Sequence, residues 1–146
     1  MEYLKSINEW LQFLNENNQI SEIIENIIVD WEINYNIKRK DINTGDCYIF
    51  ADKLISKLYS YGIKDCEYLD NDFFYDTATS EAKNDVEWTH NFKNLEDYGS
   101  LKPINFNFPD YGRHAWVYCN GKHYDAEESN GVTNLFDLPI FKKFTK

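Results

Sequence analysis

The sequence is poor in glycine (6), proline (3), cysteine (3) and methionine (1), and poor in positive charge. So few glycines leave little material for a phosphate-cradling loop or a dinucleotide fingerprint, and neither pattern occurs. No stretch approaches the ~20 consecutive apolar residues that a helical membrane span requires. No basic segment followed by an apolar run opens the chain, so no secretory signal is expected. Cys47, Cys66 and Cys119 are an odd, widely spaced set that does not read as a disulfide framework; free thiols in a reducing cytoplasm are the expectation. Lys and Arg number 15 against 25 Asp and Glu, a net charge of −10. Such a surface repels phosphate backbones and anionic lipids, which argues against nucleic acid and membrane partners and for a basic or neutral one.

What is present is apolar and aromatic. Hydrophobic residues make up 42% and aromatics 17% of 146 residues, enough to build a core without staples. The length suits one domain over 1–146, of which 1–40 is a helical N-terminal part. Leu4, Ile7, Leu11 and Leu14 recur at helical spacing. Asn15 to Asn18 reads as a polar break, and Ser21 as the N-cap of a second helix reaching about Ile37. In that helix Ile24, Ile27, Ile28 and Trp31 form the buried stripe, and Lys38-Arg39-Lys40 closes it at the negative end of its dipole. Asp41 to Asp46 is a turn-rich connector. The strongest helix follows: Cys47, Phe50, Ala51, Leu54, Leu58 and Tyr61 share a stripe, and Gly62 ends it. Strands are expected within Ile63–Leu69, Val86–Phe92 and Ile104–Phe108. Leu135 to Phe141 is a short apolar element that packs the C-terminus down.

The chemistry-bearing pattern is a hairpin. Asn120-Gly121, the preferred dipeptide of a type I′ turn, joins His114–Cys119 to Lys122–Ala126. Alternation then puts His114, Trp116, Tyr118, His123, Asp125 and Glu127 on one face, and Ala115, Val117, Cys119, Tyr124 and Ala126 on the other, toward the helices. His114 and Asp125 become diagonal cross-strand neighbours, within reach of a hydrogen bond. A carboxylate on one ring nitrogen fixes the tautomer and leaves the other nitrogen to exchange a proton. Cys47, at the first turn of the strongest helix, is the matching nucleophile, because the positive end of the dipole favours thiolate. Thr44-Gly45-Asp46 leaves backbone amides to hold an oxyanion, with Asn43 the candidate side-chain donor.

Taken singly, a cysteine at a helix start is ordinarily a small hydrophobe and a strand histidine ordinarily structural. The conjunction of sulfur, imidazole and carboxylate carries the weight. Cys119 and His123 with Cys66 or His90 form the best zinc set available, but Cys119 and His123 point to opposite faces, so no metal is expected. No cofactor is called for. His123 reads as an exposed strand residue, Trp116 as packing, and Asp125-Ala126-Glu127-Glu128 as a largely solvated edge.

Gly45-Asp46-Cys47-Tyr48-Ile49-Phe50-Ala51, with Leu54, Leu58 and Tyr61-Gly62-Ile63, resembles the cysteine block of the transglutaminase-like superfamily. His114-Ala115-Trp116-Val117 and Asn120-Gly121-Lys122-His123-Tyr124-Asp125 resemble its histidine and aspartate strands, in the same order. The resemblance implies an α+β, papain-like fold with the cysteine helix packed on an antiparallel sheet. It also implies Cys47 as nucleophile, His114 as general base and acid, and Asp125 as orienter. The expected activity is cysteine-dependent acyl transfer, above all hydrolysis of a peptide, isopeptide or side-chain amide bond in a protein or peptide substrate. The alternative is an acidic binding protein, such as a phage or bacterial inhibitor, on the same scaffold.

Overall fold

The computed structural model describes residues 7–70, 95–106 and 114–145. Helix α1 spans Ile7–Tyr35 without interruption, so the break expected at Asn15 to Asn18 does not exist. Asparagine costs only a fraction of a kcal/mol in a helix interior, which tertiary anchoring readily outweighs. Here Asn120 Nδ2 donates to Glu16 Oε2 at 2.9 Å, pinning that stretch to the hairpin turn. Ser21 is no cap: its Oγ donates back to Asn17 O at 3.2 Å within the same helix. The helix ends at Asn36, in the left-handed conformation at φ 54°. Lys38-Arg39-Lys40 therefore lies beyond α1, at the start of the short helix α2 (Arg39–Asp41). Only one face of α1 between Ile20 and Trp31 is buried, through Ile20, Ile23, Ile24, Ile27, Ile28 and Trp31, whereas Ile7, Trp10, Leu11 and Leu14 at one end and Ile33 and Tyr35 at the other are exposed.

The connector at Ile42–Asp46 is a π turn running directly into α3 (Cys47–Ser60), not an open turn. Thr44 Oγ1 donates back to Lys40 O at 3.2 Å, which helps close it. Of the expected stripe, Cys47, Phe50, Ala51, Leu54 and Leu58 are buried, whereas Tyr61 lies past the helix end and is exposed, because the chain turns at Gly62. Gly62 (φ 83°) ends the helix in a Schellman pattern: Ile63 N donates to Leu58 O and Gly62 N to Tyr59 O, both at 3.0 Å.

Four antiparallel strands form one sheet in the order β1 (Cys66–Asp70), β2 (Ala115–Cys119), β3 (Lys122–Asp125) and β4 (Glu128–Val132). The architecture is α+β. Cys119 opposes Lys122 and Tyr118 opposes His123, the register that an Asn-Gly turn dictates. Ala115, Val117, Cys119, Tyr124 and Ala126 face α1 and α3. Trp116 and Leu69 face the other way, against Leu135, Phe136 and Phe141 of the C-terminal segment, so both sides of the sheet are covered. Each fully buried large side chain contributes about 1.5–3 kcal/mol over its exposed state.

Strand β4 was not apparent from its residues, Glu128-Ser129-Asn130-Gly131-Val132, because polar residues and glycine are poor strand formers. Gly131 is required there: at φ 76°, a Cβ would sit 2.6 Å from Tyr124 Cε1. The strand expected at Ile104–Phe108 is instead a turn with one bridge, Phe106 to Thr145, and its last two residues lie outside the described set. Val86–Phe92 lies wholly outside it.

Cys66 and Cys119 oppose each other across β1 and β2 and form a disulfide, contrary to the expectation of three free thiols. They are 53 positions apart, and only the pairing of β1 with β2 makes them neighbours. The ground for expecting a reducing cytoplasm falls with this correction. Among the described residues no helix is long and apolar enough to cross a membrane.

Candidate active site

Cys47 is the first residue of α3, His114 immediately precedes β2, and Asp125 ends β3. The fold brings all three together. His114 Nε2 and Asp125 Oδ2 are 2.9 Å apart, both side chains buried. The Asp125 bond occupies Nε2, which leaves Nδ1 as the ring atom for the thiol. Burial raises the Cys47 pKa, but the His114 ring and the backbone N–H groups of Ala115 and Tyr48 outweigh it, and the net direction is down. For His114 burial opposes the charged form, while Asp125 and then Cys47 favour it more strongly, and the net direction is up. Opposite shifts in a neighbouring thiol and imidazole favour thiolate beside imidazolium.

The backbone N–H groups that serve the sulfur are those of Tyr48 and Ala115, and Thr44-Gly45-Asp46 lies within the π turn just before it. Isolated π turns are uncommon and occur disproportionately at functional sites. Asn43 is buried, and its Nδ2 donates to Glu127 Oε1 at 2.9 Å. Asp125 Oδ1 accepts from Glu127 N–H at 2.9 Å, so both carboxylate oxygens are held.

The His114 ring is clamped on the far side from the helices. Trp116 stacks on it at a centroid distance of 6.1 Å, and Phe141 meets it edge-on at 5.4 Å. Two residues without any sequence signal also border the site. Tyr48 on α3 and Tyr68 on β1 have ring centroids 6.4 Å apart. Tyr68 is pushed up to about 12 by burial, then by the charges of Asp70, Tyr48, Asp52 and Cys47, so its phenol stays protonated beside the thiol.

His123, expected at the surface, is fully buried behind the triad. Trp116 Nε1 lies 2.9 Å from His123 Nδ1, and an indole N–H can only donate. Nδ1 is therefore the acceptor, and Nε2–H donates to Tyr98 O at 2.8 Å. Desolvation holds its pKa down to about 4. Between about pH 4 and 6.5 the unfolded chain binds a proton at this residue and the folded chain does not, so stability falls as pH falls through that window. The full drop is on the order of 3 kcal/mol. Urea unfolding at pH 7 and pH 4.5 should show this loss, and His123→Gln should flatten it; equal slopes in the two proteins would refute the assignment. His114 acts in the other window, because its raised pKa adds stability that is complete below about pH 6.5 and lost as pH climbs through the folded value.

No family model, curated protein or solved structure matches the chain.

Proposed function

We propose that this chain is a cysteine-dependent acyl-transfer enzyme on a transglutaminase-like, papain-like scaffold. The particular activity proposed is hydrolysis of a peptide, isopeptide or side-chain amide bond. The observation that carries the reading is the buried His114–Asp125 pair at 2.9 Å, with the Cys47 thiol near enough to the ring to raise its pKa. The thiolate attacks the carbonyl carbon, and imidazolium passes its proton to the departing amine as the C–N bond breaks. Neutral His114 then removes a proton from water, whose oxygen attacks the thioester; the acid leaves and the thiolate returns. Asp125 keeps the ring in its tautomer throughout. A surface of net charge −10 suits a basic protein or peptide substrate.

Activity needs thiolate and imidazolium together. It should rise as pH passes the lowered Cys47 pKa and fall as pH passes the raised His114 pKa, a bell-shaped profile broader than an unpaired thiol and imidazole would produce. Hydrolysis of a p-nitrophenyl ester measured from pH 4 to 10 tests this. A profile that only climbs toward the ordinary thiol pKa would rule out the ion pair. Capture of an acyl group on Cys47 from a cell lysate, read by mass spectrometry, would name the substrate.

A further inference from the structure

The two-residue turn between β3 and β4, Ala126 and Glu127, is gripped by the segment that leads into the nucleophile. Arg39 Nη1 donates to Ala126 O at 2.9 Å, and Arg39 Nη2 pairs with Glu25 Oε2 of α1 at 2.5 Å. Four residues further on, Asn43 Nδ2 donates to Glu127 Oε1 at 2.9 Å. A carboxylate can only accept, so the amide nitrogen is the atom that faces it. Glu127 N–H then reaches Asp125 Oδ1, and Asp125 Oδ2 reaches His114 Nε2, both at 2.9 Å. The path leaves the helical segment at Asn43 and ends on the His114 ring, beside the Cys47 thiol at the start of the next helix.

We infer that Asn43 and Glu127 are positioning residues for the triad: their contact seats the Glu127 N–H against Asp125 and so sets the carboxylate that aims His114 at the thiol. The inference rests on the reading of Cys47 as nucleophile and extends it to two residues that touch no reacting atom. The physical ground is the softness of the parts. Rotation about the last bond of an aspartate is broad, so one hydrogen bond leaves its second oxygen free to swing. The N–H that prevents this belongs to Glu127, the exposed residue of the turn, which the Asn43 contact ties to the helix.

Cys47 is the free thiol, since Cys66 and Cys119 are paired, so iodoacetamide labelling reports on Cys47. The experiment is the labelling rate of the full chain from pH 4 to 9, with each variant first shown to be folded by circular dichroism. Glu127→Ala and Asn43→Ala should each slow labelling on the acid limb by about tenfold, as that limb moves up by about one pH unit. Glu127→Gln, whose Oε1 accepts the same bond, should stay within about twofold of wild type, since a charge-independent contact survives. The double alanine variant should be no slower than the slower single one, because both remove one link. Glu127 is exposed, so its truncation leaves the core intact and provides a test even if Asn43→Ala does not fold. Wild-type rates in Glu127→Ala, or a Glu127→Gln loss equal to that of alanine, would overturn the inference while leaving the nucleophile reading standing. A wild-type Cys47 labelled no faster than free cysteine would overturn both.

Discussion

Cys47→Ala is expected to abolish ester and amide hydrolysis, a loss on the order of 10⁴-fold or more, while the protein stays folded. Removing a nucleophile deletes the covalent route, and what survives is only the modest rate supplied by binding and fixed dipoles. The structural cost is small by comparison. Cys47 sits at the start of α3 among well-packed neighbours, and loss of one sulfur atom costs about 1 kcal/mol, the scale of one buried methylene. A urea midpoint close to wild type with no measurable turnover is the expected pair of results. His114→Ala should also lower turnover severely, and should return any remaining Cys47 reactivity to that of an ordinary thiol, since the ring is the main group that offsets burial of the sulfur. Retention of more than a tenth of wild-type hydrolysis in Cys47→Ala would show that the sulfur is not the nucleophile. The binding-protein alternative makes the opposite forecast, a biological effect indifferent to this substitution.

Trp116→Ala is expected to cost about 3–5 kcal/mol of stability, enough to unfold most of a marginal domain. The indole is 1% exposed and is the largest side chain in the layer between the sheet and the C-terminal segment. Its removal opens a cavity against Phe141, whose ring lies 5.1 Å away, and leaves His123 Nδ1 as a buried acceptor without its donor. Trp116→Phe should cost less but still measurably, because it refills most of the volume without restoring the N–H. The control is Trp10→Ala, at a residue 52% exposed on α1, which should shift stability by no more than about 0.5 kcal/mol. Urea titrations of the three variants give the ranking, and a Trp116→Ala effect as small as that of Trp10→Ala would contradict the packing described.

The elements with strong local patterns are those the residues announce. The α3 stripe and its Gly62 terminus follow from 3.6-residue periodicity and from the αL tolerance of glycine. The hairpin register follows from Asn120-Gly121, whose residues both adopt positive φ, at 51° and 75°. The errors have a common origin. Asn15 to Asn18 has weak helix propensity, and a contact to Asn120, 104 positions from Glu16, keeps the helix running. Glu128–Val132 lacks strand-forming residues, yet an adjacent edge and the gap over the Tyr124 ring make it a strand. His123 alternates onto the expected face but is buried, because Tyr98 and the C-terminal segment cover that face.

Chemical identity and local periodicity, both written in nearby residues, thus settled the helix that carries Cys47, the turn that pairs His114's strand with Asp125's, and the acidic character of the whole. Tertiary packing decided the rest. It brought the thiol to the imidazole, joined Cys66 to Cys119, buried His123, and tied Asn43 to Glu127 across 84 positions of chain. Contacts between residues so distant depend on how both faces of the sheet are covered, and that is a property of the folded whole which no short window of sequence encodes.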